Sequence, residues 1–132
     1  MGLLVRDVMQ RGVATCGLET PLADVAQRMC DASITAMMVV DELGELTGII
    51  TRTDLARAYL AGRTAGHAED LMTPNVATIV PDIPVEAAIQ IMLDRRIHQL
   101  VILHAKPAIG RPVGILSMED VVRLVAECQE LD

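Results

Sequence analysis

Two short stretches place a hydroxyl and a carboxylate three residues apart: Thr51-x-x-Asp54 and Ser117-x-x-Asp120. Each hydroxyl is expected at the end of a strand, and each carboxylate one turn into the helix that follows. One consequence is structural, because Ser/Thr-x-x-acid is a capping box in which the hydroxyl accepts from a first-turn N–H and the acid reaches back. The same geometry also suits a ligand. Free N–H groups at a helix start, with the hydroxyl, make a small anion site, and the carboxylate can accept from the two hydroxyls of a ribose. One turn would then hold both phosphate and sugar.

These two stretches belong to an internal duplication. Val5-Arg6-Asp7-Val8-Met9 returns as Ala68-Glu69-Asp70-Leu71-Met72, and Gly48-Ile49-Ile50-Thr51-Arg52-Thr53-Asp54 returns as Gly114-Ile115-Leu116-Ser117-Met118-Glu119-Asp120. The offset is 72 − 9 = 63 in the first part of each copy, where it also pairs Val13-Ala14-Thr15 with Val76-Ala77-Thr78, Pro21 with Pro84 and Ile34 with Ile97. Past Val40 it becomes 114 − 48 = 66, so copy two carries three extra residues between His104 and Pro112. Two copies of one supersecondary unit usually bury faces that neither buries alone. The chain of 132 residues is thus expected to hold one repeat at 1–64 and a second at 65–132, sharing a core.

Within a copy, Thr20-Pro21 reads as an N-cap followed by proline at the first helical position. Leu22, Val25, Ala26 and Met29 then recur at helical spacing, matched in copy two by Val85, Ala88, Ile89 and Met92 after Pro84. Ala36-Met37-Met38-Val39-Val40 and Leu100-Val101-Ile102-Leu103 are short apolar runs of the buried-strand kind. A turn at Asp41–Glu45, with Gly44 free to take positive φ, makes a hairpin with Leu46–Ile50. A second helix follows Thr51 and Ser117. The fold class is therefore α/β (α+β): two β-α-β-β-α repeats packed with pseudo-two-fold symmetry.

Composition narrows the function. The chain is 52% hydrophobic with no Trp, no Phe and Tyr59 alone, so it has no aromatic platform for stacking bases. Eleven basic residues against 18 acidic give a net charge of −7, which opposes broad binding to nucleic acid or an anionic membrane but leaves room for one bound nucleotide. Cys16, Cys30 and Cys128 form no CxxC pair and no metal-ligand spacing with His, and they suit a reducing compartment. The sequence has no signal peptide and no apolar run long enough to span a bilayer, so a cytoplasmic location is expected. There is no phosphate-binding G-x-x-x-x-G-K-[ST] loop, no G-x-S-x-G and no H-E-x-x-H, and no base stands beside Cys16, so no catalytic or metal-binding residue and no enzyme activity is expected.

The ordered set of Asp-Val-Met, Val-Ala-Thr, a proline-led helix, a buried strand and Gly-Ile-Ile-Thr-x-x-Asp resembles the cystathionine-β-synthase (CBS) domain. Two copies over about residues 3 to 128 resemble a CBS-domain pair, or Bateman module. The resemblance implies a regulatory module that binds adenine nucleotides such as AMP, ADP or ATP, or related adenosyl ligands, in two clefts between the repeats. It needs no cofactor for chemistry. It implies that Asp54 and Asp120 contact ribose, Thr51 and Ser117 phosphate, and that Ala14, Ile34, Ala77 and Ile97 line the adenine pockets. His98, and Arg52 near the other turn, would donate to phosphate, whereas Thr35 stands opposite His98 and Met118 opposite Arg52. The two sites are therefore expected to bind unequally.

Such a pair signals to a separate enzyme or transporter. It also commonly forms a homodimer, for which Leu55/Tyr59 and Val121/Val125 offer apolar stripes. The competing reading is a structural dimerisation or interaction module whose caps bind no nucleotide.

Overall fold

The computed structural model describes residues 2–104 and 110–128. In chain order its elements are α1 (Val5–Val8), β1 (Gln10–Arg11), β2 (Thr15–Gly17), α2 (Leu22–Ala32), β3 (Ala36–Val40), β4 (Leu46–Thr51), α3 (Arg52–Leu60), α4 (Ala68–Leu71), β5 (Thr78–Ile79), α5 (Val85–Arg95), β6 (Gln99–Leu103), β7 (Pro112–Ser117) and α6 (Met118–Glu127). The core of each copy is the expected strand, helix, strand, strand, helix. Residues 105–109, within the turn assigned the three extra residues, lie outside the described residues.

Pro21 stands one place further out than expected. Pro21 is the N-cap of α2, not its first helical residue, with φ −59° and ψ 143°. The ring fixes φ while the extended ψ keeps the residue outside the helix, and its carbonyl accepts from Asp24 N at 3.0 Å and Val25 N at 3.1 Å. Thr20 is left free to accept from Gly17 N through Oγ1 at 3.1 Å. Pro84 repeats the arrangement at φ −61° and ψ 142°.

Contacts divide the chain into two compact units, Val13–Val76 and the residues up to Gly12 together with those from Ala77 onward. The proposed 1–64 and 65–132 boundaries track duplicated sequence, while the packed bodies exchange their leading segments. In the first-named unit, β2 runs parallel to β3 and β3 antiparallel to β4, and Thr73 adds a bridge to Ile49. In the other, the sheet order is β1-β7-β6-β5, with Gln10 opposite Ile115. Thr73 and Gln10 are duplicates at offset 63, as are Ala68 and Val5, both fully buried.

The same exchange recurs in the hydrogen bonds. Val5 N donates to Ile83 O at 2.9 Å, and Ala68 N to Thr20 O at 2.8 Å. Each unit therefore has its own core. Cys16, Leu22, Val25, Met29, Met37, Val39, Ile50 and Ala68 form one, and Val5, Met9, Ala88, Met92, Leu100, Ile102 and Leu116 the other. Of the helical stripes read from sequence, Leu22, Val25 and Met29 are the buried residues of α2 and Val85, Ala88 and Met92 those of α5, whereas Ala26 and Ile89 are only half-buried.

The hairpin expected at Asp41–Glu45 is present. Asp41 Oδ1 accepts from Leu43 N at 2.9 Å and Glu45 N at 3.0 Å, and Gly44 takes φ 83°. The stripes on α3 and α6 divide between faces: Leu55 and Val121 pack against their cores, whereas Tyr59 and Val125 are exposed.

Candidate nucleotide site

In the Val13–Val76 unit the chain passes straight from β4 into α3 at Thr51, whose extended backbone makes it the N-cap. Its Oγ1 accepts from Asp54 N at 3.2 Å, and Asp54 Oδ2 accepts from Thr51 N at 2.8 Å and from Thr51 Oγ1 at 3.0 Å. The capping box is thus formed, yet it uses only one carboxylate oxygen. Asp54 is half-buried, and its Oδ1 has no hydrogen-bond partner among the described residues.

The neighbouring backbone gathers the other residues expected there. Thr51 pairs with Ala36 across β3 and β4, Arg52 N donates to Thr35 O at 3.3 Å, and Met38 N donates to Ala14 O at 3.0 Å. Ile34 follows Ser33, which ends α2 in the left-handed conformation at φ 54°. This cap lets Ile34 N reach back to Met29 O at 3.1 Å and directs Ile34 onto the core. Ala14, Ile34, Thr35, Thr51, Arg52 and Asp54 therefore flank the start of β3 and the end of β4. Thr35 is half-buried, and Arg52 is exposed.

The second unit repeats this frame with one difference. Gln99 pairs with Ser117, Met118 N donates to His98 O at 2.9 Å, and Val101 N donates to Ala77 O at 3.1 Å. Arg96 closes α5 at φ 56° as Ser33 closes α2, and Ile97 packs on the core. His98 is exposed. Ser117 Oγ accepts from Asp120 N at 3.4 Å, and Asp120 Oδ2 accepts from Ser117 N at 2.8 Å and Ser117 Oγ at 3.1 Å. Here the other oxygen is also engaged: Oδ1 accepts from Gln10 Nε2 at 3.0 Å and from Arg123 Nη1 at 3.0 Å. Asp120 is 1% exposed. A buried carboxylate requires such partners, since an unpaired one is strongly disfavoured.

Sequence reasoning missed Gln10 and Arg123. Comparing duplicates gives part of the signal, because Gln10 faces Thr73 in the offset whereas Arg123 has a counterpart in Arg57. The long reach from Gln10 to Asp120 has no local pattern. A cavity of about 470 Å³ in the Val13–Val76 unit is lined by Arg57, Arg63 and Asp70 among others, but by none of the residues expected to bind nucleotide.

Cys16 is buried, and burial pushes its thiol up, against the opposing influence of Arg28 and a hydrogen bond involving Thr20. It serves as a core residue. Among the described residues no cluster of His, Cys, Asp and Glu could hold a metal, and no helix is long and apolar enough to cross a membrane.

The CBS domain family model matches this sequence twice, at residues 5–61 and 68–127. The chain belongs to the CBS-domain family. Its backbone is similar to the CBS domain pair of protein MJ0100 in complex with 5′-methylthioadenosine and S-adenosyl-L-methionine, with a TM-score of 0.88 and 29% identity over 96% of this chain and 98% of that one. In sequence this CBS pair is 34% identical over 92% of its length to a homoserine O-acetyltransferase of Methanococcoides burtonii, of which it covers 24%. It is also 34% identical over 92% of its length to the arabinose 5-phosphate isomerase KdsD of Pseudomonas aeruginosa, of which it covers 37%. The chain thus spans 24% and 37% of the length of these two curated enzymes.

Proposed function

We propose that this CBS pair is a regulatory module that binds an adenine nucleotide of the AMP, ADP or ATP kind and signals to a separate enzyme or transporter. The observation that carries the reading is the Asp54 carboxylate, whose Oδ2 is spent on the helix cap while Oδ1 is left for a ribose diol. Thr51 and Arg52 stand beside it for phosphate, and Ala14, Ile34 and Thr35 frame the base. Asp120, Ser117, Ala77, Ile97 and His98 form the duplicate set. The similarity to a CBS pair holding two adenosyl ligands supports the sugar and base assignments.

Calorimetric titration with AMP, ADP, ATP and S-adenosylmethionine tests this reading. Binding of at least one phosphorylated ligand more tightly than S-adenosylmethionine is expected. Absence of binding by all four at millimolar concentration would instead favour an interaction module without a nucleotide. The module is also proposed to work as a homodimer through the outer faces of α3 and α6, where Tyr59 is 80% exposed, Leu60 89%, Val122 68% and Val125 67%. Sedimentation equilibrium should give twice the chain mass at micromolar concentration, and a monomer mass would remove this part of the proposal.

A further inference from the structure

We propose that Gln10 and Arg123 form a clamp on Asp120 that leaves Asp54 as the one carboxylate ready to receive a ribose. The inference rests on the nucleotide-binding reading above. An ionised carboxylate offers about four lone-pair positions. At Asp120 all are matched: Ser117 N and Oγ hold Oδ2, while Gln10 Nε2 and Arg123 Nη1 hold Oδ1. A diol brings two donors, so it reaches Asp120 only by displacing two existing ones. Asp54 has two donors in place, both on Oδ2. The diol meets no competitor at Oδ1.

The sequence difference that creates the clamp is narrow. Both copies carry arginine three residues beyond the aspartate, Arg57 and Arg123, so arginine alone does not distinguish them. Among the described residues Asp120 pairs with Arg123, while Asp54 has no ion pair. Gln10 and Thr73 occupy equivalent backbone positions, one opposite Ile115 and the other opposite Ile49. What differs is side-chain length: the glutamine amide reaches the carboxylate, and a threonine hydroxyl at that position is too short. Gln10 is the specificity-determining residue that the Val13–Val76 unit lacks, since Thr73 takes its place there.

Titration of the full chain with AMP tests the clamp. Wild type should take up one AMP per chain, and Asp54→Ala should lose it. In an Asp54→Ala background, Gln10→Thr with Arg123→Ala should restore binding through the second copy, raising affinity there by at least about tenfold, or about 1.4 kcal/mol. Should that combination fail to fold in a thermal melt, Gln10→Thr alone in the same background is the deciding variant. Two equal sites in wild type, or a folded clamp variant that binds no better than Asp54→Ala, would overturn the proposal.

If wild type takes up no AMP, the nucleotide reading itself fails, and the Gln10 side-chain amide then decides the clamp. Amide protons that exchange slowly in wild type and fast in Asp120→Ala support it; fast exchange in both overturns it.

Discussion

Asp54→Ala is expected to weaken AMP binding by at least about 100-fold. A ribose diol makes two hydrogen bonds to a charged acceptor, each worth about 1.5–3 kcal/mol, so their loss amounts to about 3 kcal/mol or more. The substitution also removes the reciprocal half of the α3 capping box, for which about 1 kcal/mol of stability is expected to be lost. Two measurements separate these effects. Calorimetry reads the affinity, and a thermal melt without ligand confirms that the variant is folded at the titration temperature. Asp54→Asn provides the finer test, since it keeps an acceptor for Thr51 N while removing the charge and supplying an amide donor that opposes the diol. Its affinity should fall nearly as far as that of the alanine variant, with a smaller loss of stability. Unchanged affinity in folded Asp54→Ala would show that ribose is not held there.

The second large effect is on stability, at the seam where β1 joins β7. Gly114 is buried, and a methyl group built on it would lie 2.7 Å from Gln10 O and 3.1 Å from Met9 Sδ. The nearest atom belongs to the backbone of a paired strand, so relief requires β1 to move away. That movement would weaken the Gln10–Ile115 and Arg11–Gly114 pairing and withdraw Gln10 from Asp120. Overpacking of this kind costs about 1–3 kcal/mol, and Gly114→Ala is expected at the upper end.

Gly48 is the duplicate and supplies the internal control. Its added methyl would meet Met72 Sδ at 2.7 Å, Cγ at 2.8 Å and Cβ at 3.0 Å, a side chain whose outer atoms can turn aside while no backbone atom of a paired strand stands as close. Chemical denaturation of both variants should therefore rank Gly114→Ala as more destabilising than Gly48→Ala. A neutral Gly114→Ala would mean that β1 does not pack against β7 as described.

Much of this organisation is legible in the sequence because the chain is duplicated. The offset of 63, becoming 66, aligns Pro21 with Pro84, Met29 with Met92 and Asp54 with Asp120, and each pair occupies equivalent local structure. Helical stripes identify the inner faces of α2 and α5, since burial of apolar side chains follows the helical period. The Thr51/Asp54 and Ser117/Asp120 boxes are also readable, because a cap is a contact between residues three apart.

What the sequence hides is mostly non-local. Val5 and Ala68 look like the starts of their own repeats, but each is buried in the unit built mainly from the other copy. Nothing in the spacing of a four-residue helix states which core it completes. The contact from Gln10 to Asp120 spans 110 positions and depends on β1 lying beside β7. The outward stripe on α3 is ambiguous for a related reason: Leu55 and Tyr59 share helical spacing, but only Leu55 finds the core. Even the proline register is decided by backbone geometry that permits N-cap and first-turn positions alike. The same non-local contacts make two nearly identical aspartates chemically unequal.

A crystal structure of the chain grown with AMP would show directly whether Asp54 holds the ribose. Ribose hydroxyls are expected within hydrogen-bond distance of Asp54 Oδ1, phosphate beside Thr51 and Arg52, and the adenine against Ala14 and Ile34. Crystals grown with millimolar AMP that show no nucleotide at Asp54, or that place its ribose away from this carboxylate, would contradict it.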